Sequence, residues 1–243
     1  MGSDTDIVVY GASGHGGSVG QWFTDNFFVP QGRCRVAAFI DDEMGGQGRT
    51  LQGKPVISFA EWREQYHDRP CFISIGSPTV KRRLVQRLTA AGARFESLYD
   101  GPFPGFPGVS VGAGTLIQAP VYVCPQTVIG DHVQIMPMTF IGHDVIIGDC
   151  TTICPSCNVS GHVIIEEDVF LGAGTTIING CPERPIVVGK GAFVGAGSVV
   201  TKMVRPGAKV VGNPARSLRE LAQGRRAGHG LGADAVVTPW RNA

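Results

Sequence analysis

The stretch TFIGHD VIIGDC TTICPS CNVSGH VIIEED VFLGAG TTIING (Thr139–Gly180), written in sixes, carries an aliphatic residue at the third place of every six. The same phase runs back to Val109 through Val111, Ile117, Val123, Ile129 and Ile135. From Thr115 to Thr175 the first place is always Val, Thr or Cys. A period of six fits neither the 3.6 of an α-helix nor the 2 of an isolated strand. It is the pattern of a hexapeptide-repeat parallel β-helix. Each six forms a short strand and a corner, and three sixes close a triangular coil. Residue i is therefore expected beneath residue i+18, one inter-strand spacing of ~4.8 Å away. The third place points inward, the small first place sits near the corner, and glycines such as Gly130, Gly142 and Gly148 are expected to let the backbone turn tightly. The phase slips once, at CPERP (181–185), and resumes with Val188, Val194 and Val200.

Residues 1–99 have a different rhythm. DIVVYG reads as a strand ending at glycine, followed by a helical segment from His15. RVAAFIDD reads as a second strand closed by two acids, and CFISIG as a third. SFAEWREQY has a helical pattern with Ser58 as N-cap. SPTVKRRLVQRLTAAG carries a capping serine, a proline in the first turn and a closing glycine. Strands alternating with helices predict a parallel sheet in a small α/β domain. The Pro- and Gly-rich segment YDGPFPGFPG marks the boundary. The expected organisation is an α/β domain at 1–99, a linker at 100–108, a β-helix at 109–216, and a short helix with a Gly/Ala-rich tail at 217–243.

The 243 residues carry a formal net charge of +1, with no basic or acidic block. Charge thus favours neither nucleic acid nor a membrane surface as partner. No apolar run is long enough to span a bilayer, and MGSDTD lacks the start of a secretory signal. Seven cysteines scattered through apolar repeats predict reduced thiols and a cytoplasmic protein. Cys154 and Cys157 form a lone CPSC without a second pair at metal spacing, so no metal is expected.

His143 lies two residues after the inward Ile141 and is expected to project outward at a corner. Its i+18 neighbour is Gly161. A glycine stacked on an imidazole leaves room and an accessible backbone N–H beside it, an arrangement that suits acyl transfer. A base removes the proton from an attacking amine or hydroxyl while an amide stabilises the oxyanion. Asp144 follows at once and can orient the ring. The bland reading is a solvated corner histidine.

The repeat array ending in VVGNPAR (210–216) resembles the acetyl-CoA-dependent hexapeptide-repeat acyltransferases. With VYGASGHG (9–16), FIDD (39–42), SIG (74–76) and FIGHDVIIGD (140–149), the chain resembles one branch of them. That branch is the sugar O- and N-acetyltransferases of the sialic acid O-acetyltransferase type, with the enzymes that acetylate UDP-linked 4-amino sugars. The resemblance covers residues ~6–218 and implies a Rossmann-like α/β domain followed by a left-handed parallel β-helix. It also implies a homotrimer with active sites between subunits and acetyl-CoA as co-substrate. Direct transfer then takes place in a ternary complex, with His143 as general base and Asp144 increasing its basicity. The positions matching coenzyme contacts are Thr152, Gly161, Ala173 and Ala196. Those matching the nucleotide-sugar contacts are Gly14, His15, Gly16, Asp41, Asp42 and Gly76. GASGHG reads G-x-x-G-x-G, which argues against a dinucleotide fold. Several amino-sugar enzymes of the branch carry Asn where this chain has Met136, which puts the acceptor in question.

Two rivals use the same scaffold. A γ-type carbonic anhydrase would bind zinc through histidines from neighbouring coils, for which His132, His143 and His162 are available. A non-catalytic scaffold would use the β-helix only to present the α/β domain. The nucleotide-like domain and the GNPAR turn have no purpose in the first, and the outward His–Asp pair has none in the second.

Overall fold

The computed structural model describes residues 5–24, 34–99, 108–219 and 221–222. The linker expected at 100–108 lies outside these residues except for Gly108, as does the tail from 223 onward. Of the expected C-terminal helix, 218–219 and 221–222 are described and are helical. Among the described residues no helix is long and apolar enough to cross a membrane.

In the first domain β1 (Thr5–Tyr10), α1 (Gly14–Thr24) and β2 (Cys34–Ile40) form the opening βαβ unit. A hairpin, β3 (Thr50–Leu51) with β4 (Lys54–Ile57), was not legible in the sequence because both strands are short and polar at their starts. Then come α2 (Phe59–Gln65), β5 (Cys71–Ile73) and α3 (Pro78–Ala90). Ser58 caps α2 through a reciprocal capping box with Glu61, and Ser77 caps α3 ahead of Pro78, as the sequence predicts. The sheet order is β3-β4-β2-β1-β5, parallel except for the β3–β4 hairpin. Alternation along β1 serves both faces. Ile7 and Val9 pack with Val19 of α1, whereas Val8 and Tyr10 pack with Trp62 of α2 and Leu88 of α3. The chain leaves β1 towards β2 on one side and returns to β5 on the other, so the crevice beyond the carboxyl ends of β1 and β5 is the switch point of the sheet.

From Ser110 the chain winds through three parallel faces. The first holds Ser110–Val111, Val128–Ile129, Ile146–Ile147, Val163–Ile165 and Ile186–Val188. The second runs from Leu116–Ile117 through Gln134–Ile135, Thr152–Ile153, Phe170–Leu171 and Phe193–Val194 to Lys209–Val211. The third begins at Val121–Val123 and Thr139–Ile141 and ends at Val199–Val200. The i+18 register holds, as in Val128↔Ile146↔Ile164 and Gln134↔Thr152↔Phe170. It then lengthens by the five residues of CPERP, pairing Val163 with Ile186 and Phe170 with Phe193. Cys181 and Arg184 exchange backbone hydrogen bonds within this excursion, so the extra residues close on themselves and the faces stay aligned. The aliphatic third places from Ile117 to Val200 are all buried.

Two details differ from expectation. The first-place residues from Thr127 to Thr175 are buried as fully as the third, and threonine hydroxyls among them bridge coils. Thr127 Oγ1 donates to Gly142 O (2.9 Å), and Thr151 Oγ1 donates to Glu166 O (3.1 Å) while accepting from Val169 N (3.3 Å). Nor do Gly130, Gly142 and Gly148 supply the left-handed turn residue. That is the sixth place, with Met138, Asp144, Cys150 and His162 at φ 64°, 55°, 58° and 52°. The glycines are needed for close approach instead: a Cβ on Gly142 would lie 2.6 Å from Ser160 C and 2.7 Å from Gly161 N.

The domains meet on the second face. Leu98–Tyr99, at the end of the first domain, pairs in parallel with Leu116–Ile117. Gln134 Nε2 donates to Ile73 O (2.8 Å), and Lys81 Nζ donates to Thr152 Oγ1 (2.9 Å) and Thr151 O (3.2 Å). Arg82 pairs with Asp168 at 2.5 Å. At the far end Arg216–Ser217 folds back antiparallel on Lys209–Val211.

Candidate active site

His143 stands where the third face turns into the first. Ile141 points into the core, Phe140 outward, and Gly142 lets the coil close onto Ser160. The left-handed Asp144, whose N–H donates to Pro125 O (3.2 Å), completes the corner. Both side chains are about half exposed, at 52% and 45%, and Asp144 Oδ2 lies 2.7 Å from His143 Nδ1. A carboxylate on Nδ1 favours the tautomer protonated there, which leaves the lone pair on Nε2. A Cβ on Gly161 would lie 2.7 Å from that Nε2 and 2.9 Å from Asn179 Oδ1. Among the described residues the Gly161 N–H has no acceptor. The site thus holds an exposed imidazole whose Nε2 faces a glycine with no side chain between them, and the Gly161 N–H is unpaired although Gly161 itself is buried.

Asn179 and Lys202 occupy the same corner in the next two coils. Two further steps along the repeat would have found them. His162 sets its ring edge-on to His143, 5.0 Å away and at 88°. Ligand atoms of His143, Asp144 and His162 lie within 4.8 Å of one another. His132, the third histidine of the zinc reading, is at a different corner, buried against the Phe95 ring at 4.5 Å.

The expected coenzyme positions separate into three groups. Gly161 lies beneath His143. Ala173 and Ala196 are exposed and stacked, with Gly197 N donating to Ala173 O (2.8 Å), but they lie at the corner between the second and third faces. Met136 belongs to that corner too and is half-buried. Thr152 is fully buried with its hydroxyl taken by Lys81, so in this chain its side chain faces the first domain and no open groove. The thiols stay protonated: burial raises Cys154 and pushes Cys157 up to about 11.

In the first domain Gly11 (φ 112°) turns the chain out of β1, and a Cβ on Gly16 would lie 1.8 Å from Gly11 O. Gly16 is therefore required, whereas Gly14 and Gly76 have open space around them. His15 Nδ1 is 2.8 Å from Ser74 Oγ, joining the loops after β1 and β5 at the switch point. Burial lowers the pKa of His15, and its Nε2 is buried without a partner among the described residues. Asp41 accepts from the N–H groups of Glu43 and Met44 (both 2.9 Å) and of Ala12 (3.4 Å). Asp42 accepts from Tyr10 Oη (2.6 Å) and pairs with Arg87 (2.7 Å). The acidic pair thus braces the loops around the crevice. Lys81 and Gln134 had no motif to announce them.

Similarity to known proteins follows the same architecture. The model of the PglD N-terminal domain matches residues 6–88. The bacterial transferase hexapeptide model matches 126–161, and the hexapeptide repeat of succinyl-transferase matches 162–202. GDP-perosamine N-acetyltransferase from Escherichia coli O157:H7 is 27% identical over 216 residues, covering 87% of this chain and 95% of its own. The structure of WeeI from Acinetobacter baumannii AYE is 33% identical with a TM-score of 0.71, over 88% of this chain and all of that one. The acetyltransferase domain of PglB from Neisseria gonorrhoeae FA1090 shares the fold at TM-score 0.72 and 24% identity, over 88% of this chain and all of that domain. With the α/β domain, the repeat domain and their order all matched, the chain belongs to the PglD-like family of hexapeptide-repeat acetyltransferases.

Proposed function

We propose that this protein transfers the acetyl group of acetyl-CoA to an amino or hydroxyl group of a nucleotide-linked sugar. The observation that carries the reading is the half-exposed His143–Asp144 pair set over Gly161, whose unpaired N–H belongs to the same corner. His143 Nε2 takes the proton of the acceptor as its nitrogen or oxygen attacks the thioester carbonyl. The Gly161 N–H stabilises the oxyanion. As the tetrahedral carbon collapses the C–S bond breaks, the thiolate leaves, and the imidazolium returns its proton. No covalent enzyme intermediate is required, in keeping with the raised thiol pKa values.

The nucleotide is held in the crevice beyond β1 and β5, near the half-buried His15. Acetyl-CoA lies between subunits of a homotrimer, with Ala173 and Ala196 of one copy facing the His143 corner of the next. The exposed, stacked Tyr122 and Phe140 rings on the third face (5.7 Å) offer apolar surface between those corners. The perosamine relative favours an amine acceptor. Met136, which donates no hydrogen bond, favours an acceptor contact different from the asparagine-bearing enzymes.

The test incubates the protein with acetyl-CoA and a panel of nucleotide-linked amino sugars, GDP-perosamine among them, and identifies products by mass spectrometry. His143→Ala is expected to lower kcat about 10²–10⁴-fold with acetyl-CoA affinity retained. Near-normal turnover by that variant would remove the base from the mechanism.

A further inference from the structure

The six-residue period puts Asp144 and His162 at the same place one coil apart, and both hold the left-handed φ of the sixth place (55° and 52°). Their chain neighbours, His143 and Gly161, are stacked in the same way. A carboxylate and two imidazoles therefore share one corner. The absence of a side chain at Gly161 leaves room for the His143 ring, which meets the His162 ring at 88° with centroids 5.0 Å apart.

The backbone under these side chains is pinned between coils. His162 N donates to His143 O (3.1 Å), Asp144 N to Pro125 O (3.2 Å) and Ile186 N to His162 O (3.1 Å). The side chains keep freedom to adjust, since His143 and Asp144 are about half exposed and His162 is half-buried. Among the described residues Asp144 pairs with no lysine or arginine, so no fixed cation neutralises its carboxylate. One donor atom from each of the three residues lies within 4.8 Å of the others. Donors in a tetrahedral zinc site stand ~3.3 Å apart, so side-chain rotation has at most ~1.5 Å to close while the coil stays as it is. Two imidazoles and one carboxylate suit zinc, and they offer too few oxygens for magnesium. All three donors belong to one chain, and His132, at another corner, is not among them.

We propose that His143, Asp144 and His162 form an inhibitory zinc site with a fourth position open to water. The metal claims a lone pair of the His143 ring and the carboxylate that orients that ring. Bound zinc therefore blocks removal of the acceptor's proton and takes no part in the reaction. The proposal rests on the assignment of His143 as base and names what switches that base off.

The test uses the full chain freed of metal by a chelator. Calorimetry with zinc chloride is expected to show one site per chain, and cobalt(II), as a spectroscopic probe, to give the intense visible bands of a tetrahedral ion. His162→Gln and Asp144→Asn each weaken zinc binding by more than the ~10-fold that loss of an outer-shell partner costs. His67→Gln, at an exposed position in the first domain, leaves it intact. In turnover, zinc inhibits wild type, a chelator restores the rate, added nucleotide sugar opposes the inhibition, and magnesium has no effect. His162→Gln, measured against its own metal-free rate, needs more than ~10-fold more zinc for the same inhibition. Zinc binding that ignores both substitutions, a six-coordinate cobalt spectrum, or full turnover by zinc-saturated protein overturns the inhibitory site. So does protein purified with one zinc per chain whose activity is lost on chelation, because the metal would then serve the reaction. His162-dependent zinc binding by a protein that acetylates no acceptor would support the metal site and sink the proposed reaction instead.

Discussion

A methyl group added at Gly161 would stand 2.7 Å from both Nε2 and Cε1 of His143, closer than non-bonded atoms approach. Gly161 has no left-handed φ among the described torsions, so alanine meets no backbone strain there. The atoms in its way, the His143 ring and Asn179 Oδ1 at 2.9 Å, are the ends of side chains, so these must swing aside while the coil stays closed. Gly161→Ala is therefore expected to keep the melting temperature within a few degrees and to lower kcat about a hundredfold, the cost of misplacing a base by an ångström. Thermal denaturation and steady-state kinetics on one preparation check this, and unimpaired turnover would show that the ring does not work in its observed position. The His143–Gly161 stack was legible in the sequence because the period fixes which residue underlies which. The orientation of the ring, set by Asp144 at 2.7 Å and by the edge of His162, was not, because it depends on rotamers the period leaves free.

At the scale of elements, the contact between α3 and the second face turns on Lys81. Burial lowers its pKa from 10.5 to about 7, and its two acceptors, Thr151 O and Thr152 Oγ1, are both uncharged. The unfolded chain holds the Lys81 proton up to about 10.5 and the folded chain releases it near 7. Between those values the unfolded state binds more protons, so this group makes stability rise with pH. Below 7 both states are protonated and the full cost of burying the charge is present. Lys81→Met removes the group. The unfolding free energy of wild type minus that of the variant is expected to grow from pH 7 to pH 9 in parallel denaturation curves. A difference that stays level would show that Lys81 does not titrate in this interval. Apart from the β3–β4 hairpin, the strands of both domains could be read from period, and the caps of α2 and α3 from turn chemistry. Their docking could not, because a buried lysine against a threonine and a glutamine against Ile73 O leave no periodic trace. The glycines were misjudged for a related reason. Gly142 in a corner suggests a turn, whereas the turn belongs to Asp144 and the glycine answers to a backbone in the next coil.

For the whole molecule, the third face separates the His143 corner from the Ala173–Ala196 corner, so one chain does not bring the two together. If neighbouring copies complete each other, two different defects should complement. His143→Ala and Ala173→Trp, each inactive alone, are expected to regain a measurable fraction of activity when co-expressed and purified as mixed assemblies. Some interfaces then pair an intact base corner with an intact small-residue corner. Mixtures no more active than either parent would place the whole site within one chain. Whether copies share a site could not be derived from the repeat, which specifies neighbours along the axis and says nothing about neighbours beside it.

The constant step between coils has a further consequence. Because positions along a corner differ by whole coils, the separation between His143 and Lys202 can change only in increments of ~4.8 Å. Each increment comes with a gain or loss of 18 residues that leaves all three faces in register. The five-residue excursion at CPERP leaves this count untouched, since it exits and re-enters at the same level. The β-helix is in this sense a graduated ruler. A chain of this design can refit itself to a longer or shorter ligand by adding or losing a division, without altering the chemistry at either end.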